Sequence, residues 1–150
     1  MSIKLNEDVT KLLKSKDSLK VLATVDRNGN PHVVFKGSIN VDEHGNIVYL
    51  ELIESSLTNR IMTNSIWFSK TVAINVKGND GTSYQIKGIP YKGIISGPIF
   101  ESYYKRLSEK WKDADLSTVW IIKPEKVTNE TYRIRKNSEE LKHPLFVHVD

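Results

Sequence analysis

The sequence predicts a mainly β fold, an antiparallel barrel or sandwich accompanied by a few helices. From Leu19 onward the residue pattern becomes strand-like, with turn signals at Asn28-Gly29, His44-Gly45-Asn46 and Asp80-Gly81. Regular turns between short strands favour antiparallel neighbours over β-α-β units. We expect a single domain over residues 1–150, with its core at about residues 19–132.

A short amphipathic helix is predicted before the strands. Val9, Leu12 and Leu13 recur at helical spacing over residues 7–16, and acidic residues occupy the first turn. Asn6 is a suitable N-cap.

Strand segments then follow in order. Residues 19–25 and 31–38 pair through the Asn28-Gly29 turn, and a hairpin at residues 43–46 leads to residues 47–52. Residues 71–77 and the long extended segment 83–96 come next. Gly88-Ile89-Pro90 lies within that segment, and because proline has no N–H to donate, it predicts a bulge, a bend or an edge there.

The remaining elements are two helices and a final strand pair. Residues 54–60 begin a short helix, and Pro98 begins another with Ser96 or Gly97 as its cap. The stripe on this second helix should be buried, and its members are Phe100, Tyr103, Tyr104, Leu107 and Trp111. Strands at 117–122 and 126–132 are predicted to meet at a turn at Pro124-Glu125. Residues 133–150 read as a polar tail that ends in the apolar patch 145–147.

Composition excludes several classes of chemistry. The chain has no cysteine, so disulfides, thiolate nucleophiles and cysteine-based metal sites are excluded. No apolar run approaches the length of about 20 residues that spans a bilayer, and the N-terminus is too polar for a signal peptide. We therefore expect a cytoplasmic protein with no membrane partner. The net charge of +4 suits an anionic ligand or nucleic acid equally well.

The sequence assigns no catalytic residue and no metal site. His143 and His148 lack a carboxylate at metal-site spacing, and no nucleophile elbow or glycine-rich phosphate loop is present.

The helix start at residues 54–60 is a candidate phosphate site. Free N–H groups and the positive end of the helix dipole favour an anion there, and hydroxyls and a guanidinium are close by. These side chains belong to Ser55, Ser56, Thr58, Asn59 and Arg60. Ordinary helix capping is the alternative interpretation.

A second candidate surface is one face of residues 31–38. His32, Val34, Lys36 and Ser38 alternate onto that face, which either meets solvent at a sheet edge or meets a ligand. Glu51 likewise either faces solvent or accepts a hydrogen bond from a ligand.

Aromatic side chains offer a third candidate. Tyr49, Trp67, Phe68 and Trp120 either line a flat ligand or belong to the core, whereas Trp111 is expected in the core.

The segment 22–34, LATVDRNGNPHVV, resembles the opening hairpin of the pyridoxamine 5′-phosphate oxidase-like family. Residues 47–50, 56–60, 72–74 and 119–127 are similar to later elements of that family, in the same order. The resemblance covers residues 19–132. It implies a six-stranded antiparallel split β-barrel that forms a homodimer, with FMN bound at the dimer interface.

The resemblance also implies roles for individual residues. His32, Val34 and Lys36 match the strand that lines the flavin ring and ribityl chain, and Trp120 matches a position that faces flavin. Phosphate contacts are implied for the helix start, at Ser55, Ser56, Thr58, Asn59 and Arg60. The chain departs from the family at Glu51-Leu52, where threonine is usual, at Thr58, where lysine is usual, and in an extra stretch at 64–70.

These observations favour an FMN-dependent oxidoreductase that acts on a small molecule. The alternatives are a non-catalytic flavin-binding or flavin-storing protein and a basic β-barrel that binds nucleic acid, although no RNA-binding motif is present. The family also includes proteins that use F420 or haem. The arginine-rich motif of pyridoxamine phosphate oxidation is not recognisable in residues 132–136.

Overall fold

The computed structural model describes residues 2–143. One sheet dominates it, with the strand order β2-β1-β5-β6-β7-β4-β3, and every neighbouring pair is antiparallel. In chain order the elements are α1 (Glu7–Lys14), β1 (Leu19–Val25), β2 (Pro31–Phe35), β3 (Asn40–Val41), β4 (Ile47–Glu51), α2 (Leu57–Trp67), β5 (Val72–Lys77), β6 (Ser83–Ile94), α3 (Pro98–Lys110), β7 (Thr118–Asn129) and α4 (Tyr132–Lys142).

The predicted mainly β fold is confirmed, but the described part of the chain has seven strands rather than six. The additional strand is β3, whose two residues pair with Ile47 and Val48 of β4. So short a strand carries no periodic signal of its own. The predicted cap of α1 is confirmed, because the Asn6 side chain accepts the Val9 N–H at 2.9 Å.

The long strands β6 and β7 bend where the Gly88-Ile89-Pro90 segment predicted an irregularity. Their register shifts between Lys87 and Gly88, and again between Pro90 and Lys92. A Cβ at Gly88 would lie 2.6 Å from the Lys123 carbonyl oxygen, so the close approach of the two backbones requires glycine. The predicted bulge is therefore present.

The predicted turn at Pro124-Glu125 is wrong. β7 runs without interruption from Thr118 to Asn129, and Pro124 lies opposite Gly88 at the bulge. A proline is tolerated there because the ladder is already irregular at that step.

The core lies between the inner face of the sheet and helix α1. The fully buried Leu22, Ile74, Ile86 and Ile122 come from four neighbouring strands, and Val9 of α1 covers them. A smaller cluster of Val48, Leu107, Leu116 and Val119 joins α3 to β4 and β7.

Two predictions for the later helices are wrong. Of the stripe predicted to be buried on α3, only Leu107 is buried: Tyr104 is 41% exposed, and Trp111 is 53% exposed because α3 ends at Lys110. Residues 132–142 form helix α4 rather than a tail, and none of its residues is buried. The apolar patch 145–147 and His148 lie outside the described residues.

In residues 2–143, no helix is both long and apolar enough to cross a membrane.

Candidate functional site

The start of α2 is held by Ser56. Its Oγ accepts the backbone N–H of Asn59 at 3.0 Å, which is ordinary N-capping, and its hydroxyl donates to Glu51 Oε1 at 2.6 Å. The cap and a buried carboxylate at the end of β4 are therefore linked. Capping, the alternative interpretation of this helix start, is therefore present, and the phosphate site stays a prediction.

Glu51 is 2% exposed, so the solvent-facing interpretation of this residue is wrong. Its carboxylate lies 3.2 Å from Lys36 Nζ through Oε2, in addition to its bond with Ser56. A buried carboxylate is tolerated when a cation and hydrogen-bond donors surround it, and here both kinds of partner are present.

Tyr49 lies beside this ion pair in the core. Lys36 Nζ is 5.6 Å from the centroid of its ring, within the range of a cation–π contact. The Tyr49 hydroxyl is buried and has no hydrogen-bond partner among the described residues. Burial, with the Glu51 charge as the second cause, raises the pKa of Tyr49 above its usual range, so the phenol stays protonated in the folded chain.

The burial of residues 31–38 alternates as predicted, although β2 ends at Phe35, and the face that carries His32 is half-buried rather than exposed. His32 and Val34 are half-buried, and Val34 packs against the core. His32 Nε2 lies 3.0 Å from the buried Thr58 Oγ1 and so joins β2 to α2. The outward face carries Val33 and Phe35 instead.

Trp120 and Asn59 form the link between β7 and α2. The indole Nε1 donates to Asn59 Oδ1 at 2.9 Å, and the Asn59 side-chain amide donates to the Glu54 carbonyl at 2.9 Å. Trp120 is buried opposite Gly93, where a Cβ would lie 2.9 Å from the ring. The ring orientation is thus fixed on two sides.

An open cleft of about 1370 Å³, which we call the α2 cleft, runs along α2 toward α3. Its size exceeds that of an ordinary small-molecule pocket, which is consistent with an open groove. The wall includes apolar, polar and charged side chains. Its members are Leu52, Ile53, Glu54, Ser55, Asn59, Arg60, Thr63, Ile66, Trp67, Gly93, Ile95, Phe100, Asp115, Leu116, Ser117, Thr118 and Trp120.

Four of the ten predicted cofactor residues lie on this wall: Ser55, Asn59, Arg60 and Trp120. Ser55 and Arg60 are exposed there. The other six form the hydrogen-bonded and packed layer described above, and they are His32, Val34, Lys36, Glu51, Ser56 and Thr58. The predicted residues thus lie in one region, but only four of them line the cleft, and the other six pack or hydrogen-bond behind its wall.

Sequence reasoning missed the segment 115–118, which closes one side of the α2 cleft. It reaches the site because Glu51 pairs with Thr118, and the Ser117 N–H donates to the Glu51 carbonyl at 2.9 Å. A correct pairing of β4 with β7 would have found it, but no local motif marks these residues. Trp67, predicted either to line a flat ligand or to belong to the core, lies on the wall with 79% of its surface exposed. Residues 64–67 of the extra stretch simply continue α2.

In the described residues, no group of three or more His, Asp or Glu side chains is arranged to hold a metal ion.

No protein-family model matches the sequence, and no curated protein matches it. Solved structures do resemble it. HupZ from group A Streptococcus superposes with a TM-score of 0.68 at 19% identity, covering 85% of this chain and 95% of HupZ. A candidate pyridoxamine 5′-phosphate oxidase from Lactobacillus delbrueckii superposes with a TM-score of 0.63 at 25% identity. The match covers 83% of this chain and 93% of that protein. The chain has the pyridoxamine 5′-phosphate oxidase-like split-barrel fold.

Other structures similar to this split barrel differ in what their descriptions say they bind. An FMN-binding protein from Syntrophomonas wolfei gives a TM-score of 0.66 at 15% identity, covering 83% of this chain and 84% of that one. An F420 reductase and the haem-storage protein HutZ from Vibrio cholerae also match, with TM-scores of 0.62 and 0.59. The fold predicted from the sequence resemblance is thereby confirmed.

Proposed function

We propose that this split barrel binds a flavin in the α2 cleft, with FMN as its cofactor, and serves as a cytoplasmic flavin-dependent oxidoreductase for a small molecule. The observation that carries the proposal is the position of Trp120 and Arg60 on one wall at the start of α2. An indole of fixed orientation suits a flat ring, and a guanidinium at a helix start suits a phosphate. The similar FMN-binding protein and F420 reductase support a flavin-type ligand.

The side chains of the cleft fit the two ends of FMN differently. Apolar groups beside Trp120, including Ile53, Ile66 and Ile95, can cover the ring. At the phosphate end, Arg60 and Ser55 are the exposed predicted donors, whereas Ser56, Thr58 and Asn59 are already hydrogen-bonded within the protein. We therefore assign the phosphate contact to Arg60 with Ser55.

Bound flavin would supply the redox chemistry. The chain's contribution is to orient the ring against Trp120, to exclude water with the apolar wall and to attract the anionic end with Arg60. The site therefore also suits a non-catalytic flavin carrier. Steady-state oxidation of NADH or NADPH by the flavin-loaded protein separates an oxidoreductase, which turns over, from a carrier, which does not.

Removal of Arg60 tests the phosphate contact. We expect Arg60→Ala to weaken FMN binding about tenfold, or about 1.4 kcal/mol, because it removes a charge-assisted contact at an exposed site. Quenching of flavin fluorescence during titration measures the dissociation constant. Arg27→Ala, in the exposed β1–β2 turn, is the control of equal charge and should bind FMN like the wild type. Equal FMN affinity in Arg60→Ala and the wild type would refute this assignment.

The visible spectrum of the purified protein, before and after addition of FMN, tests the proposal as a whole. Flavin bands that stay with the protein through size exclusion support it. A protein that stays colourless with FMN but takes up haem would instead resemble HutZ in its ligand.

A further inference from the structure

We infer that Glu51 determines ligand specificity: its buried carboxylate takes up the Ser56 hydroxyl and the Lys36 ammonium beside the start of α2, so a phosphate held there by Arg60 adds little to the affinity. The inference rests on the proposed flavin function and deepens it. It names as ligand a flavin held mainly through its ring, for which riboflavin and FMN are nearly equivalent.

The first argument is that the best anion donors are already used. Ser56 donates its hydroxyl proton to Glu51 at 2.6 Å, and Lys36 Nζ lies 3.2 Å from the same carboxylate. A phosphate at this helix start could reach Ser56 or Lys36 only by displacing Glu51 from them. Because Glu51 is 2% exposed, a displaced carboxylate would also need a new partner or a path to solvent.

The second argument is the charge of the cleft wall. Its charged members are Glu54 and Asp115, both acidic, against the single cation Arg60. Lys36 does not change this balance, because its charge is matched by Glu51. A phosphate dianion entering the cleft therefore meets one guanidinium and two carboxylates, and the Glu51 carboxylate keeps Lys36 from acting as a second cation.

The third argument is that the ring end of the ligand is independent of this balance. Trp120 is fixed by Asn59 and Gly93. Asn59 is linked to Glu51 through Ser56, and a glutamine at position 51 keeps an oxygen that can accept the same Ser56 hydroxyl. A ring can bind against the indole whatever its side chain carries. Glu51 should therefore change the preference between two flavins rather than flavin binding as such.

The test compares dissociation constants for riboflavin and FMN, which share the ring and differ in the phosphate. In the wild type we expect the two constants to agree within about threefold, because Arg60 offsets the carboxylates. In Glu51→Gln we expect FMN to bind about tenfold tighter and riboflavin to change by less than about twofold. Glu43→Gln, in the exposed β3–β4 turn, removes the same formal charge and should leave the ratio unchanged. Damage to the fold would weaken both flavins together and lower the melting temperature, so the ratio is compared only in variants that keep the wild-type melting temperature.

A wild type that prefers FMN by more than about tenfold would overturn the inference, as would a Glu51→Gln variant with an unchanged ratio. Glu51→Thr is the second variant, in case glutamine lowers the melting temperature enough to prevent titration.

Inorganic phosphate supplies a measurement that needs no flavin. We expect phosphate to raise the melting temperature of Glu51→Gln and not that of the wild type or Glu43→Gln. If neither flavin binds any variant, the proposed function fails, while this phosphate arm still decides whether Glu51 excludes an anion. No phosphate effect in Glu51→Gln would then reject the role of Glu51 as well.

Discussion

Buried polar side chains decide the character of the site at the scale of single residues. Glu51, Lys36 and Ser56 satisfy one another, whereas the Tyr49 hydroxyl beside them has no partner among residues 2–143. A buried polar group without a hydrogen bond costs about 1–3 kcal/mol. The unpaired Tyr49 hydroxyl, beside the Lys36 ammonium, therefore lowers the stability of the folded chain.

Tyr49→Phe should increase the free energy of unfolding by about 1 kcal/mol, since it removes the unpaired hydroxyl and keeps the ring beneath Lys36. Urea denaturation measures the change. The difference from the wild type should grow above pH 10, the ordinary pKa of the phenol. There Tyr49 ionises only in the unfolded wild-type chain, so that wild-type stability falls as the pH rises.

Tyr84→Phe, at a half-buried position, serves as the control for the loss of a phenol and should change stability less. A clear loss of stability in Tyr49→Phe would instead show that a buried water binds the hydroxyl.

Local sequence patterns predicted the positions of some of the side chains in the site. Capping at the start of α2, the alternative to a phosphate site, and the placement of His32 and Val34 on one face of β2 follow from local patterns, and both are present. The burial of Glu51 could not be predicted this way, because it depends on Lys36 arriving from another strand. A single acid in an apolar strand looks the same whether its partner is solvent, a ligand or a lysine.

At the scale of secondary structure, the bend of β6 and β7 depends on one close approach. Gly88 has the Lys123 carbonyl oxygen and Ile122 Cγ2 at 2.6 Å and 2.8 Å from where a Cβ would lie. Neither neighbour can move freely, since both belong to the paired strand β7. The bulge therefore constrains the sequence at Gly88 more than any turn does.

Gly88→Ala should destabilise the fold by about 2 kcal/mol, since the added methyl group forces the two strands apart. Thermal and urea unfolding both measure this change. Gly37→Ala is the matched control, because no atom lies within 4 Å of a Cβ at that position, and it should be neutral or slightly stabilising. Equal effects of the two substitutions would contradict the packing argument.

Element prediction was most accurate where a turn or cap residue acts locally. The hairpin at Asn28-Gly29 and the α3 start after Gly97 were predicted, and they are present. The prediction of a turn at Pro124 was wrong because a proline lacks an N–H donor in a turn and in a bulge alike, so the residue type does not distinguish the two. Helix α4 was missed because it buries no residue, so it lacks the apolar stripe by which a helix is recognised.

At the scale of the whole molecule, the outer face of β1 and β2 is apolar. Phe35 is 74% exposed and lies opposite Val21, while the exposed Val33 lies opposite Ala23. Exposed apolar residues on a paired edge strand are costly for a protein that stays alone in water. From this face, together with the homodimer that the family resemblance implies, we propose that two copies of the chain associate.

Phe35→Asp should therefore convert a homodimer into a monomer, because a charge in an apolar contact is desolvated without a partner. Light scattering after size exclusion should give twice 17.1 kDa for the wild type and 17.1 kDa for the variant. Ile134→Asp, an exposed apolar residue of α4, is the control and should stay dimeric. A wild-type monomer, or a Phe35→Asp dimer, would remove this face from consideration as the contact.

The pairing of β4 with β7 also governs when the barrel can form. Ile47 pairs with Ile122, and the Ile3 N–H donates to the Pro124 carbonyl at 2.8 Å, so both β4 and the N-terminal segment are held by β7. During synthesis on the ribosome, β4 has only the two-residue β3 beside it until β7 emerges. Closure must then wait for nearly the whole chain, and such non-local pairing places folding among the slower millisecond-to-second reactions. Cellular yield should consequently depend on how well the exposed edge of β4 is protected during that interval.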